Sequence, residues 1–323
     1  MKQTILVIGL GSMGQRRIRI LKSLYPKCRV IGIDSSAKRA EYTKNEYGIE
    51  IYSGVEKVQI PIYAAFVCTS PESHPELIHT FLKKGCHVFS EINLIDTEYE
   101  KNMELAETQK KTLFLSSTPL YKEEIQYIIR RLQENKDKKI YSYHVGQYLA
   151  DWHPWDKLED FFASRKETNG CRELLAIELP WMTAAFGQIV STTVTKGNFT
   201  HLGLSFPDTY MIQATHADGT VGNIIIDVVS PKAVRRFEVY NDGMYISWEG
   251  TPDSLMEKDV KSGKEHWVAL GSYIHDKRYG SFINEAAYVK EVEEFFSVVD
   301  GKKAVYGFAQ DQEIIHLINT IEG

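Results

Sequence analysis

Long apolar runs are missing. No stretch approaches the roughly 18 consecutive apolar residues that a membrane-spanning helix needs, so such a helix is excluded. Cysteine is scarce: Cys28, Cys68, Cys86 and Cys171 are scattered, with no Cys-x-x-Cys pair. That excludes a disulfide framework and a cysteine-built zinc site, and it predicts reduced thiols, a cytoplasmic location and no metal. Neither sign of charge dominates, since the net charge is −5 over 323 residues. Nothing in that balance directs the chain to nucleic acid or to an anionic membrane. Internal repeats and low-complexity tracts are absent, and no signal-peptide pattern precedes the first apolar run. What remains is an ordinary globular composition, 43% hydrophobic and 25% charged, at a length that suggests two domains.

The stretch that organises the rest is the first to be met. Ile5, Leu6, Val7 and Ile8 form an unbroken apolar run with β-branched members, as a strand buried on both faces does. Gly9, Gly11 and Gly14 follow in the spacing G-x-G-x-x-G, with Leu10, Ser12 and Met13 between them. Residues 13–24 then read as a helix. Ile18, Leu21 and Leu24 share one face, and Arg16, Arg17, Arg19 and Lys22 fall largely on the other. Each glycine has its own reason. Gly9 allows the tight turn, Gly11 lets a pyrophosphate approach the backbone, and Gly14 lets helix and strand pack closely. The N–H groups at the helix start, with the positive end of its dipole, then hold phosphates. A second apolar run, Val30 to Ile33, ends in Asp34, where an acid bonds the adenosine ribose. That acid favours NAD over NADP, while Lys38 and Arg39 nearby keep NADP as the alternative. Asp34 also has a reading as a simple helix cap, and the two roles are compatible.

Further along, apolar runs and helical patterns alternate to about residue 116. Strands are expected at 49–52, 62–68, 87–90 and 112–116, and helices at 37–47, 75–84 and 98–110. This is βαβ alternation, so a parallel sheet with helices on both faces follows. Ligands of such sheets sit beyond the carboxyl ends of the strands. Helices are then expected at 122–135 and 171–186. Alternating strands are expected at 139–149, 190–196, 210–216, 221–229, 236–240 and 244–248, before helices at 284–299 and 310–321. The fold class is therefore α/β: a Rossmann domain over residues 1–120, and an α+β domain with an open, mainly antiparallel sheet over residues 121–323.

The chain resembles the glucose–fructose oxidoreductase/inositol dehydrogenase family. The resemblance is carried by the glycine-rich start, by Thr69-Ser70-Pro71-x-x-His74, by Gly85-x-His87-Val88-x-x-Glu91, and by a helix ending Phe186-Gly187. An aromatic loop, Asp151-Trp152-His153-Pro154-Trp155, is similar to a branch associated with sugar and surface-polysaccharide chemistry. The family implies NAD(P)-dependent hydride transfer on sugars, cyclitols or their nucleotide-linked and acid derivatives. It also implies a sheet face that makes homodimers or homotetramers. Two departures stand out. The family's Glu-Lys-Pro motif falls on Glu91-Ile92-Asn93, so its lysine is an isoleucine. Its carboxylate-x-x-x-histidine signature falls on Glu173 and Ile177, so its histidine is gone. Hydride transfer at a carbinol needs a group that takes or gives the hydroxyl proton, and isoleucine cannot.

The resemblance sets Thr69, Ser70, Pro71 and His74 by the cofactor, and Glu91 and Asn93 about the nicotinamide ribose. His153, beside Asp151 and between Trp152 and Trp155, is the preferred replacement acid/base, with a loop histidine in an aromatic cluster as its other reading. Arg172, Glu173 and Glu178 lie on the helix expected to line the substrate pocket, where charge is costly unless paired or used. An internal salt bridge is their other reading. Tyr121 is either a proton-relaying phenol or a core tyrosine. Two functions follow: an NAD-dependent oxidoreductase with a non-standard acid/base, acting on a small sugar-like substrate, or a non-redox NAD- or sugar-binding sensor or partner protein on the same fold.

Overall fold

The four apolar residues after Thr4 make up the rest of β1 (Thr4–Ile8), buried along its whole length. The computed structural model describes residues 3–152, 161–271 and 283–323. Two units divide the chain: Met1–Ser117 with Tyr288–Glu313, and Thr118–Ala287 with Ile314–Gly323. A division at residue 120 would leave the whole C-terminal stretch with the second unit, whereas 26 of its residues, Tyr288–Glu313, pack with the first.

In the first unit, α1 (Ser12–Leu24), β2 (Arg29–Ile33), α2 (Ala37–Tyr47), β3 (Glu50–Tyr52), β4 (Ala64–Val67), α3 (His74–Lys83), β5 (His87–Ser90), α4 (Tyr99–Gln109) and β6 (Leu113–Leu115) follow β1. All six strands are parallel, in the order β3-β2-β1-β4-β5-β6. The order reverses between β1 and β4, and ligands of such sheets bind at that switch point. Local chemistry sets the helix ends. Ser36 caps α2 by accepting the Arg39 N–H at 3.4 Å, and Gly48 ends the helix at φ 61°. Phe66, Phe89 and Phe114 lie in register across β4, β5 and β6. Phe295, from α7 (Glu285–Val299), meets all three edge-on at 5.2, 5.6 and 5.7 Å between ring centres. That aromatic seat explains why the C-terminal stretch joins this unit.

In the second unit, α5 (Glu123–Glu134) and α6 (Gly170–Phe186) lie on an eight-stranded sheet formed by β7 (Ile140–Gly146) to β14 (Glu265–Trp267), in the order β14-β13-β12-β11-β7-β10-β9-β8. The intervening strands are β8 (Ile189–Gly197), β9 (Thr209–His216), β10 (Val221–Asp227), β11 (Val234–Asn241), β12 (Met244–Trp248) and β13 (Met256–Lys258). Within this sheet, among the described residues, β7 and β10 pair in parallel and the other neighbours are antiparallel. Tyr141, Tyr143, Ile224, Ile226, Phe237, Val239 and Trp248 are buried on one face, while Ile140, Met211, Val221 and Tyr240 are exposed on the other. The last helix is α8 (Phe308–Glu322).

Candidate functional site

The carboxyl ends of the parallel strands gather most of the sequence-derived cofactor residues along one edge of the first sheet. Gly9 follows β1, Asp34 follows β2, Thr69 to Pro71 follow β4, and Glu91 to Asn93 follow β5. The three glycines differ as expected. Gly9 sits at φ +86°, where a Cβ would lie 2.6 Å from the Cys68 carbonyl oxygen. A Cβ at Gly14 would lie 1.9 Å from the Gly9 carbonyl oxygen, so helix and turn touch there. A Cβ at Gly11 would meet nothing within 4 Å. The start of α1 has no side-chain cap and no acid in its first turn. Ser12 is exposed and Met13 half-buried there. An open glycine in front of uncapped N–H groups fits a pyrophosphate.

Asp34 is buried and fully engaged. It accepts the Leu10 N–H at 2.7 Å, the Ser36 N–H at 2.7 Å, and Arg39 Nε and Nη2 at 3.0 Å each. Burial alone would raise its pKa, but the bonds from Arg39, Leu10 and Ser36 hold it below the ordinary carboxylate value. The cap of α2 is Ser36, not Asp34.

Glu91 is gripped from below. Arg17 Nε donates to its Oε1 at 2.6 Å and Nη2 to its Oε2 at 3.2 Å, and the same Nη2 reaches Glu291 Oε2 at 2.6 Å. Glu291 Oε1 also accepts the Ser117 N–H at 2.7 Å and Ser116 Oγ at 3.0 Å, tying in the end of β6. Arg16 and Arg17 therefore do not lie on the wet face of α1, as their helical phase suggested. Both are buried, with Arg16 over the Tyr288 ring at 4.2 Å. His74 is buried too, with Nδ1 2.6 Å from the Asn93 amide and Nε2 2.9 Å from the Thr69 carbonyl. Burial lowers its pKa, so the neutral ring braces the two turns against each other. Ser70 is exposed, and Pro71 is buried at the start of a short 3₁₀ turn.

The second unit separates the three charges of α6. Glu178 is a core residue: its carboxylate accepts Tyr143 Oη at 2.6 Å, Trp181 Nε1 at 2.7 Å and Arg235 Nε at 3.1 Å. Burial would raise its pKa, and Arg235 with the two aromatic donors holds it low. Arg172 pairs with Glu322, and its Nη2 donates to Asn319 at 2.7 Å. Glu173 has neither arrangement. Its Oε2 is buried with no hydrogen-bond partner among the described residues, and burial pushes the carboxyl up to about 7. Glu173 and Ile177, four apart and both half-buried, share a face of α6. Trp152 packs edge-on at 6.3 Å from Phe161, and its Nε1 is also buried without a partner among the described residues. Asp151 is exposed and Tyr121 buried. His153 and Trp155 lie outside the described residues.

Sequence reasoning passed over two groups. Arg17 falls by helical phase on the face opposite Ile18 and Leu21, and its partners Glu91, after β5, and Glu291, in α7, reveal its role. Lys122, half-buried with Nζ 5.9 Å from the Trp248 ring centre, is pushed down to about 8, chiefly by burial and then by Arg235. Its single signal was a lysine directly after the apolar Pro119-Leu120-Tyr121.

The strand order, the glycine turn and the acid after β2 define a dinucleotide-binding Rossmann unit. Residues 3–117 match the model of the glucose–fructose oxidoreductase/inositol dehydrogenase type described as an oxidoreductase family with an NAD-binding Rossmann fold. Human biliverdin reductase A is 25% identical over 133 residues, a match spanning 38% of this chain and 43% of that protein's length. Among solved structures, levoglucosan dehydrogenase in complex with NADH and levoglucosan is similar over 99% of this chain and 96% of its own, with TM-score 0.82 and 12% identity. Biliverdin reductase from Synechocystis sp. PCC 6803, in complex with biliverdin and NADP+, is similar over 98% and 97%, with TM-score 0.77 and 14% identity. At such identities the likeness shows the fold alone.

Proposed function

We propose that this chain is an NAD-dependent oxidoreductase that acts on a carbinol of a sugar, cyclitol or nucleotide-sugar-like substrate. A nicotinamide held there would provide the hydride chemistry. Gly9, Gly11, Ser12, Met13 and Gly14 would hold the pyrophosphate, Asp34 the adenosine ribose, and Glu91 and Asn93 the nicotinamide ribose. Glu173 takes or gives the hydroxyl proton in place of the family's lysine and histidine. One observation carries this assignment: a carboxyl whose buried Oε2 has no partner among the described residues and whose pKa is pushed up to about 7, on the same face as Ile177. A general acid/base works best with its pKa near the working pH. His153 is the second acid/base candidate, with Asp151, Trp152 and Trp155 as a sugar-binding loop; for these three and His153 the support is the sequence alone.

The exposed Val221, Ile140 and Tyr240 lie side by side across β10, β7 and β11, which supports homodimers or homotetramers through the open sheet face. Light scattering tests that assembly. The function is tested by NADH fluorescence titration, followed by turnover of a panel of sugars and cyclitols. Micromolar or tighter binding, about 8 kcal/mol or more, together with oxidation of one of these compounds, is the expected result. Binding without turnover of any of them points to the non-redox sensor instead. No binding removes both nucleotide readings.

A further inference from the structure

A neutral imidazole carries one N–H, yet both ring nitrogens of His74 stand at hydrogen-bond distance from a neighbour. Nε2 faces the Thr69 carbonyl, which can only accept. Nδ1 faces the Asn93 amide, which donates or accepts according to how it is turned. Both contacts are satisfied only when Nε2 holds the hydrogen and Asn93 turns its Nδ2 to Nδ1. Ser90 Oγ, 3.4 Å from Nδ1, is committed to the Glu91 carbonyl at 2.9 Å.

The Asn93 amide also faces the Tyr99 hydroxyl, and its Nδ2 closes no hydrogen bond among the described residues. Tyr99 Oη in turn donates to Asp311 Oδ2 at 2.6 Å, and Tyr306 Oη donates to Oδ1 at 2.7 Å. Thus α8, the first residue of α4 and the turns after β5 and β4 are joined by one buried string, Asp311-Tyr99-Asn93-His74-Thr69. Burial, with Asp96 near, pushes Asp311 up to about 6 against the pull of the two phenols. The charge facing His74 is Glu91, which Arg17 balances. The string has two ordered states. With Asp311 ionised, Tyr99 donates to it, Asn93 Nδ2 to Tyr99, and His74 Nδ1 to Asn93 Oδ1, so Nε2 stands bare before the Thr69 carbonyl. With Asp311 protonated, every donor reverses: Asp311 donates to Tyr99, Tyr99 to Asn93 Oδ1, Nδ2 to His74 Nδ1, and Nε2 to Thr69. A buried acceptor left without a donor is costly, so the members turn together.

We propose that Asp311 is a positioning residue of the nucleotide site: through Tyr99 and Asn93 its proton sets which nitrogen of His74 carries the hydrogen, and so whether His74 holds the turn after β4. The held turn is the form that takes the nucleotide. The inference rests on the nucleotide-binding reading above and adds to it an acid from α8, remote in sequence, that tunes the site without touching the ligand.

The test is nitrogen NMR of the full chain with labelled histidine, the His74 signals being assigned with His74→Gln, together with calorimetric titration with NAD+, each at about pH 5 and about pH 8. In wild type the His74 ring is expected to stay neutral and to move its hydrogen from Nε2 to Nδ1 as the pH rises, while NAD+ affinity falls about threefold or more. Asp311→Asn, whose amide donates to Tyr99 as the protonated acid does, is expected to keep the hydrogen on Nε2 and to bind NAD+ alike at both pH values. Tyr99→Phe cuts the string, keeps a ring on Phe308 at 4.6 Å between ring centres, and is expected to lose the pH response as well. A wild-type ring with one tautomer throughout overturns the proposal, as do variants whose tautomer or affinity changes with pH as wild type does. If wild type binds NAD+ at neither pH, the nucleotide reading fails and the positioning role with it. A tautomer change in those same samples would then place the fault in the nucleotide reading and not in the string.

Discussion

Arg17 Nε lies 2.6 Å from Glu91 Oε1, although 74 residues separate the two in sequence, and neither is open to solvent. The pair fixes the acid that follows β5, and Glu291 closes the other side of the same guanidinium. One buried cation thus balances two carboxylates. Arg17→Met is expected to lower stability by about 3–5 kcal/mol, because it leaves both acids buried without their counter-charge. Urea denaturation measures this, and a loss under about 1 kcal/mol would show that the network holds nothing together.

Gly11 and Gly14 separate binding from folding. Gly14→Ala places a methyl group 1.9 Å from the Gly9 carbonyl oxygen, so both stability and nucleotide binding should drop. A methyl group at Gly11 meets no protein atom within 4 Å, so the melting temperature should hold while NADH affinity falls by about tenfold or more. Unchanged affinity in the Gly11→Ala protein would move the pyrophosphate elsewhere.

Glu173 predicts a pH signature. Its folded pKa, about 7, lies above the ordinary glutamate value of 4.5. Between these two values the folded state binds more protons than the unfolded one, so this group makes stability fall as pH rises through that window. Glu173→Gln should remove that slope and stabilise the protein on the order of 2 kcal/mol above pH 7 relative to wild type. Turnover should fall by about a hundredfold or more, with nucleotide affinity unchanged. Denaturation at several pH values, with the two proteins compared, checks the first part. A turnover within about twofold of wild type would remove Glu173 as the proton carrier.

Five residues along α6 the expected sign reverses. Glu178→Ala removes the carboxylate that faces buried Arg235 and leaves Tyr143 and Trp181 without that acceptor. A loss of about 3–5 kcal/mol is expected at neutral pH. A Glu178→Ala protein as stable as wild type would mean that this acid is not a core partner.

Much of this fold was legible because its signals are local. The apolar run before the glycines, the period of α2 between Ser36 and Gly48, and the alternation of β12 depend on residues a few positions apart, and they place those elements closely. The strands β13 and β14 were not legible. Each is three residues long and is a strand only through its pairing with a neighbour. Among the candidate site residues, the turn geometry at the three glycines and the place of Asp34 after β2 could be read, because backbone geometry demands those residue types at that spacing. The charges on α1 and α6 could not be sorted in that way. Helical phase puts Arg17 on a polar face, and the same phase makes Glu173 and Glu178 equally odd in an apolar helix.

The sequence by itself determined that a nucleotide-binding turn opens the chain, that a parallel sheet follows, and that an antiparallel sheet comes after it. Short-range sterics and side-chain period suffice for that. Tertiary structure alone decided which charges are partnered. Arg17 finds Glu91 and Glu291, Glu178 finds Arg235, and Glu173 finds no partner among the described residues. The physical reason is that the cost of burying a charge is settled by neighbours brought from distant parts of the chain.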